Sequence, residues 1–242
     1  MYVTTLIAGI IQLLQTPQTN HMLTNELINH AIPQLHLQDS ISRALKLIQE
    51  YQLSHLPVVS GNKYLGMIGE DDLLDAGQEE NGNIGILQEN FIAAAVRDGE
   101  HFLNAVKCCN LFETTLVPVI NQQNDLLGVI TATDLLKALG DYSGSNEIAG
   151  VIILEMDRSR FAISEISRIV ESNDATILHL NTTFKSENSI LTVTIQINKK
   201  EIATIVSAFE RYEYTIVHYF GDEKFENEIH SNYRHLMSYL DI

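Results

Sequence analysis

The chain contains the same stretch twice. Leu116-Val117-Pro118-Val119-Ile120, followed by Leu127-Gly128-Val129-Ile130-Thr131-Ala132-Thr133-Asp134-Leu135-Leu136, has an earlier counterpart in Leu56-Pro57-Val58-Val59, followed by Leu65-Gly66-Met67-Ile68-Gly69-Glu70-Asp71-Asp72-Leu73-Leu74. Pro57 and Pro118 lie 61 positions apart and Gly66 and Gly128 lie 62 apart, so one residue is inserted between the strands of the second copy. Such a repeat constrains the fold more than any single motif, because like units bury like faces against one another. Each copy reads as strand, turn, strand, helix: a β-branched run, a polar turn, a second apolar run, then Asp-Leu-Leu at helical spacing. An amphipathic helix precedes each, with Ile41, Ala44, Leu45 and Ile48 on one stripe in the first and Phe102, Ala105, Val106 and Cys109 in the second.

This succession of helix, Pro-Val strand, Gly-hydrophobic strand and Asp-led helix resembles a CBS domain. Two in tandem, over roughly residues 22 to 142, resemble the CBS pair known as a Bateman module. The resemblance implies an adenine nucleotide (AMP, ADP or ATP) in the cleft of the pair. Asp134 would accept from ribose hydroxyls with Thr131 near phosphate, and Asp72 would repeat the role in the first copy, where Gly69 stands in place of the hydroxyl residue. His55, two positions before Pro57, would meet phosphate, and Leu56, Pro57, Val58, Val117, Pro118 and Val119 with backbone groups would build the adenine pocket. The chemistry suits the assignment, since an ionised carboxylate accepts from two donors of a diol and a helix N-terminus favours phosphate. A threonine with an acid three residues later, ahead of an apolar run, is equally a capping box that requires no ligand. Both readings of Thr131 and Asp134 stand on the sequence, as does a packing role for His55 and a plain core role for the six strand residues.

A breaker, Gly140-Asp141-Tyr142-Ser143-Gly144-Ser145-Asn146, closes the repeat, and a different pattern follows. It reads strand (from Ile148 to Glu155), helix (Ile163, Ile166, Ile169, Val170), strand (from Thr176 to Phe184), strand, helix (Ile202, Ile205, Val206, Phe209), strand (from Tyr214 to Tyr219). Leu191, Val193, Ile195 and Ile197 alternate with polar residues, as in a sheet covered on one face. This βαββαβ order is that of a ferredoxin-like unit. With the turn at Asp157-Arg158-Ser159-Arg160-Phe161, it resembles an ACT domain. ACT domains that bind amino acids hold a glycine in this turn, whereas here Arg160 and Phe161 occupy it, so a pairing module is the expectation. The expected fold is α+β, with an extension (1–21), two CBS domains (22–77 and 91–142) joined by a linker (78–90), and an ACT-like domain (147–220). A C-terminal amphipathic helix (222–242) carries Phe225, Ile229, Tyr233, Leu236 and Leu240 on one stripe.

Charge removes several function classes. With 15 basic against 31 acidic residues and a formal net charge of −16, the chain lacks the clustered Lys and Arg that polynucleotides require. The only cysteines, Cys108 and Cys109, are adjacent on a predicted helix, which suits packing in a reducing compartment better than a disulfide framework or a metal site. Residues 3–14 are apolar but too short to span a bilayer and lack a basic leader. They read as an appended segment: either translation starts instead at Met22, which opens Met-Leu-Thr-Asn-Glu-Leu-Ile, or the segment is a short, disordered or loosely docked N-terminal helix. No His-Glu-x-x-His, Gly-x-Ser-x-Gly or Gly-x-x-x-x-Gly-Lys spacing occurs. The expectation is a cytoplasmic, homodimeric, non-catalytic regulator, similar to acetoin-utilisation-type CBS–ACT proteins. It would need no cofactor or metal, have no nucleic-acid or membrane partner, and take an adenine nucleotide as regulatory ligand. The alternative is a structural pairing module with empty clefts.

Overall fold

The structure is a computed structural model that describes residues 22–76, 82–145, 147, 149–185 and 189–221. The expected N-terminal extension and C-terminal helix lie outside the described residues. The chain divides into two compact units at Leu139/Gly140.

In the first unit the copies have matching elements. The first comprises β1 (Leu35–His36), α1 (Ile41–Tyr51), β2 (His55–Ser60), β3 (Lys63–Gly69) and α2 (Glu70–Ala76). The second comprises β4 (Val96–Arg97), α3 (Phe102–Leu111), β5 (Leu116–Ile120), β6 (Leu126–Thr131) and α4 (Ala132–Ser143). Each forms a three-stranded sheet in which the short strand runs parallel to the middle one and the hairpin is antiparallel. Capping fixes where the leading helices begin. The Ser40 hydroxyl accepts from the Arg43 N–H at 3.2 Å, and His101 Nδ1 accepts from the Leu103 N–H at 3.4 Å. The predicted stripes then face inward, with Ile41, Ala44 and Ile48 buried on α1 and Phe102 and Ala105 on α3.

Gly66 and Gly128 explain how the copies interlock. Their φ values are +152° and +151°, a region that favours glycine, and each sits where the hairpin pairing slips by one residue. A side chain on Gly66 would lie 2.7 Å from Cβ of Phe91, and one on Gly128 would overlap Cγ2 of Ile28. The bare backbone admits a crossing segment at each place: Met67 and Ile92 exchange N–H···O bonds of 2.9 Å, and the Asn29 N–H donates to the Val129 carbonyl at 2.7 Å. The segment ahead of the first copy therefore packs on the second, and the connector packs on the first. Thr24 Oγ1 donating to the Arg97 carbonyl at 2.6 Å and Tyr64 Oη donating to the Ala94 carbonyl at 2.6 Å secure the exchange.

The second unit carries β7 (Gly150–Asp157), a 3-10 turn (Arg158–Arg160), α5 (Ile163–Glu171), β8 (Ile177–Lys185), β9 (Ile190–Ile197), α6 (Ala203–Arg211) and β10 (Thr215–Phe220). The sheet is antiparallel throughout, in the order β10-β7-β9-β8. Ile152, Leu154, Val193, Ile195 and Ile197 from the sheet and Ile166, Val170, Ile205 and Phe209 from the helices form one core. β7 runs to Asp157, two residues past the expected end, because all eight of its positions find partners on β9. At the edge of this core the Tyr214 hydroxyl donates to Glu165 Oε2 at 2.8 Å; burial and that carboxylate push its pKa up to about 12.

Candidate functional site

The residues expected to carry a ligand cluster at two corresponding places, the junctions β3–α2 and β6–α4. In the second copy Thr131 ends β6, and α4 starts at the next residue. The Thr131 hydroxyl accepts from the Asp134 N–H at 3.1 Å and donates to Asp134 Oδ2 at 2.6 Å. The threonine half of the capping box read from the sequence is thus formed, whereas the Asp134 carboxylate takes the Thr131 hydroxyl rather than its backbone N–H and is held half-buried at the first turn of a helix. An ionised carboxylate offers about four lone-pair sites, so this one bond leaves it with accepting capacity.

The first copy is built differently. Asp72 takes the position of Asp134 and accepts from Asn90 Nδ2 at 2.7 Å through Oδ1. Across the hairpin, Thr131 is paired with Leu116, whereas Gly69 is paired with His55. The polar group has therefore changed strands. A Cβ on Gly69 would lie 3.2 Å from His55 Nε2 and 3.6 Å from Asp72 Oδ2, so the imidazole fills the space that a threonine would take. His55 Nδ1 is engaged by the Ser54 hydroxyl at 2.8 Å. Burial of the ring lowers its pKa, opposed by the charges of Asp72 and Asp71.

Ser54 and Thr115 join the two sites. They are 61 positions apart, the same offset as Pro57 and Pro118, and each donates its N–H to the other's hydroxyl, at 2.8 Å from Ser54 and 3.1 Å from Thr115. Their hydroxyls lie 3.0 Å apart. The Ser54 carbonyl accepts from the Glu70 N–H at 3.0 Å, and the Thr115 carbonyl accepts from the Ala132 N–H at 2.8 Å, so each hydroxyl residue holds the start of its own site helix. Sequence reasoning singled out neither residue, nor Asn90, although the repeat offset applied to hydroxyl residues would have found the first two. Asn90 carries no such signal, because it comes from the connector.

Leu56, Val58, Val117 and Val119 have no exposed side-chain surface, and Pro57 and Pro118 are buried beside them. Leu56 and Val58 share a core with Ile41, Ala44 and Ile48, and Val117 and Val119 with Phe102 and Ala105. Their side chains are therefore spent on the two cores. The two cysteines also serve packing: burial raises both thiols, and Cys109 Sγ donates to the Thr114 carbonyl at 2.7 Å. Among the described residues no group of His, Cys, Asp and Glu could hold a metal ion, and no helix is long and apolar enough to cross a membrane.

Comparison with known proteins fits this geometry. The CBS domain family model matches residues 25–79 and 105–141, and each matched segment holds one copy of the strand-helix unit. An inosine-5'-monophosphate dehydrogenase of Korarchaeum cryptofilum is 27% identical over 100 residues, which cover 40% of this chain and 20% of that enzyme. The chain thus spans about a fifth of that relative's length. Among solved structures, a CBS domain pair/ACT domain protein from Thermotoga maritima is 18% identical with a TM-score of 0.45, covering 50% of this chain and 98% of that one. CBSX2 in complex with AMP is 18% identical with a TM-score of 0.42, covering 50% and 97%. Two family matches in one chain, each on one copy of an interlocked pair, identify it: the chain carries a tandem pair of CBS domains.

Proposed function

We propose that this protein is a non-catalytic regulator that senses an adenine nucleotide through its CBS pair. The observation that carries the reading is the Thr131–Asp134 arrangement, a half-buried carboxylate fixed at a helix N-terminus where a ribose diol and a phosphate can be met side by side. Asp72, pinned by Asn90, provides a second such place. Binding that favours one arrangement of the two copies would shift the population of states available to a partner. The second unit, whose βαββαβ order and sheet order support a ferredoxin-like, ACT-like reading, would serve as the pairing module of a homodimer.

Titration calorimetry of AMP, ADP and ATP with wild type and Asp134→Ala tests this reading. Losing a charge-assisted pair of hydrogen bonds is expected to cost roughly 1.5–3 kcal/mol, about ten- to hundredfold in affinity. Unchanged affinity would leave Asp134 as a helix cap. One observation favours a second reading, a structural pairing module with empty clefts: the Thr131 hydroxyl already has a donor and an acceptor within its own helix turn. Absence of binding by all three nucleotides decides for it.

A further inference from the structure

The two sites differ by more than the loss of a hydroxyl. In the second copy the polar side chain stands on β6 with leucine opposite; in the first it stands on β2 with glycine opposite. Gly69 gives the ring room, since a Cβ there would lie 3.2 Å from His55 Nε2 and 3.4 Å from Cδ2 and the ring would have to give by a few tenths of an ångström. The ring is also held. Nδ1 meets the Ser54 hydroxyl at 2.8 Å, and Ser54 is itself braced by Thr115 through both backbone N–H groups and the hydroxyl pair. That leaves Nε2 as the other ring nitrogen, next to Gly69, with the charge of Asp72 acting on the ring and the Asp72 carboxylate held by Asn90 from the connector side.

We propose that His55 takes in the first copy the place of Thr131 in the second, making the Asp72 site a proton-coupled site for the anionic group of a nucleoside phosphate. The inference rests on the nucleotide reading above and adds to it a chemical distinction between the sites. A hydroxyl donates one neutral hydrogen bond at every physiological pH, whereas an imidazole that takes up a proton becomes a cationic donor. The Ser54 hydroxyl serves both states, donating to Nδ1 when the ring is neutral and accepting from it when the ring is charged. The charged groups bearing on the ring are Asp72 and Asp71 of α2, both anionic, and burial opposes the charged form in the empty site. An arriving phosphate adds negative charge beside Nε2, so binding draws a proton onto His55 and tightens as pH falls.

Calorimetric titration of full-length protein with AMP and with adenosine, at pH 6 and pH 8 and in buffers of different ionisation enthalpy, tests this directly. Wild type is expected to show two sites for AMP. One tightens toward pH 6 by at least about fivefold more than the other and takes up a proton on binding, within the tenfold per pH unit that a single proton allows. Both sites share the phosphate's own ionisation, so the difference between them isolates the protein. Adenosine should show no such difference. His55→Gln, which keeps a polar side chain but cannot charge, should abolish the extra pH dependence and leave the Thr131 site unaltered. Thr131→Val should leave the pH-dependent site in place. As a readout without calorimetry, the NMR titration midpoint of His55 should move up on adding AMP. If AMP binds and the pH dependence survives in His55→Gln, or if the only site is the one removed by Thr131→Val, the inference is overturned while the nucleotide reading stands. If neither ligand binds at any concentration tried, both are overturned.

Discussion

The two copies of the repeat share an order of strands and helices and differ in what they place at the junction of hairpin and helix. At β6–α4 a threonine caps the helix and holds the aspartate. At β3–α2 the corresponding residue is glycine, the aspartate is held by Asn90 from outside the copy, and a histidine leans in from the facing strand. Repetition thus fixes the scaffold, and an exchange across one strand pair changes the side chains a site offers while the strand pairing stays the same.

The largest expected effect tests the shared scaffold. Gly128→Val forces a side chain into the crossing segment at Ile28 and places a β-branched residue at φ +151°. It should lower unfolding free energy by roughly 3–5 kcal/mol in a denaturant titration, combining backbone strain with overpacking. Gly66→Val, facing Phe91, should cost a similar amount; if one copy tolerates the change, the interlocking is not equivalent. Next comes the core. Leu56→Ala removes a side chain with no exposed surface and should cost about 2–5 kcal/mol, more than Val117→Ala at the corresponding place, where fewer atoms are lost. Equal costs would mean the two cores collapse differently around the gap.

Ser54→Ala probes the link between copies. It removes the acceptor for the Thr115 N–H and the partner of His55 Nδ1, and should destabilise by roughly 1–3 kcal/mol. Its effect on nucleotide binding should fall mainly on the Asp72 site; an equal effect on both sites would show that the bridge supports the pair as a whole. The smallest effect is one of pH. The folded pKa of His55 lies below its ordinary 6.5, so below that value the unfolded chain binds more protons than the folded one and stability declines as pH falls. Melting temperatures compared at pH 7.5 and pH 5.5 should therefore differ less for His55→Gln than for wild type, and added AMP should narrow the wild-type difference.

Much of the scaffold was legible because it depends on periodicity. Ile41, Ala44 and Ile48, and the alternation from Leu191 to Ile197, state which face is buried, and the structure buries those faces. The Thr131–Asp134 cap was legible for the same reason, being local in the chain. What escaped was anything that depends on partners distant in sequence. Asn90 reads as a connector residue, yet it holds a carboxylate 18 positions earlier. Gly69 reads as a missing hydroxyl, yet it is the clearance for an imidazole 14 positions earlier on the facing strand. The strand residues Leu56, Val58, Val117 and Val119 have the composition of a pocket wall and of a core alike, and only burial places them in the core.

The sequence by itself determined that there are two like units, the order of strands and helices in each, the faces they bury, and the helix starts that their own residues cap. These follow from local propensity and from the hydrophobic periodicities of two and about 3.6 residues, which act over one element at a time. Only the tertiary structure decided that each copy is completed by the segment leading into the other, that Ser54 and Thr115 hold each other, and that His55 stands where a threonine would. Those outcomes turn on close approach and hydrogen-bond geometry between residues brought together by folding, and a linear pattern carries no distance between two strands.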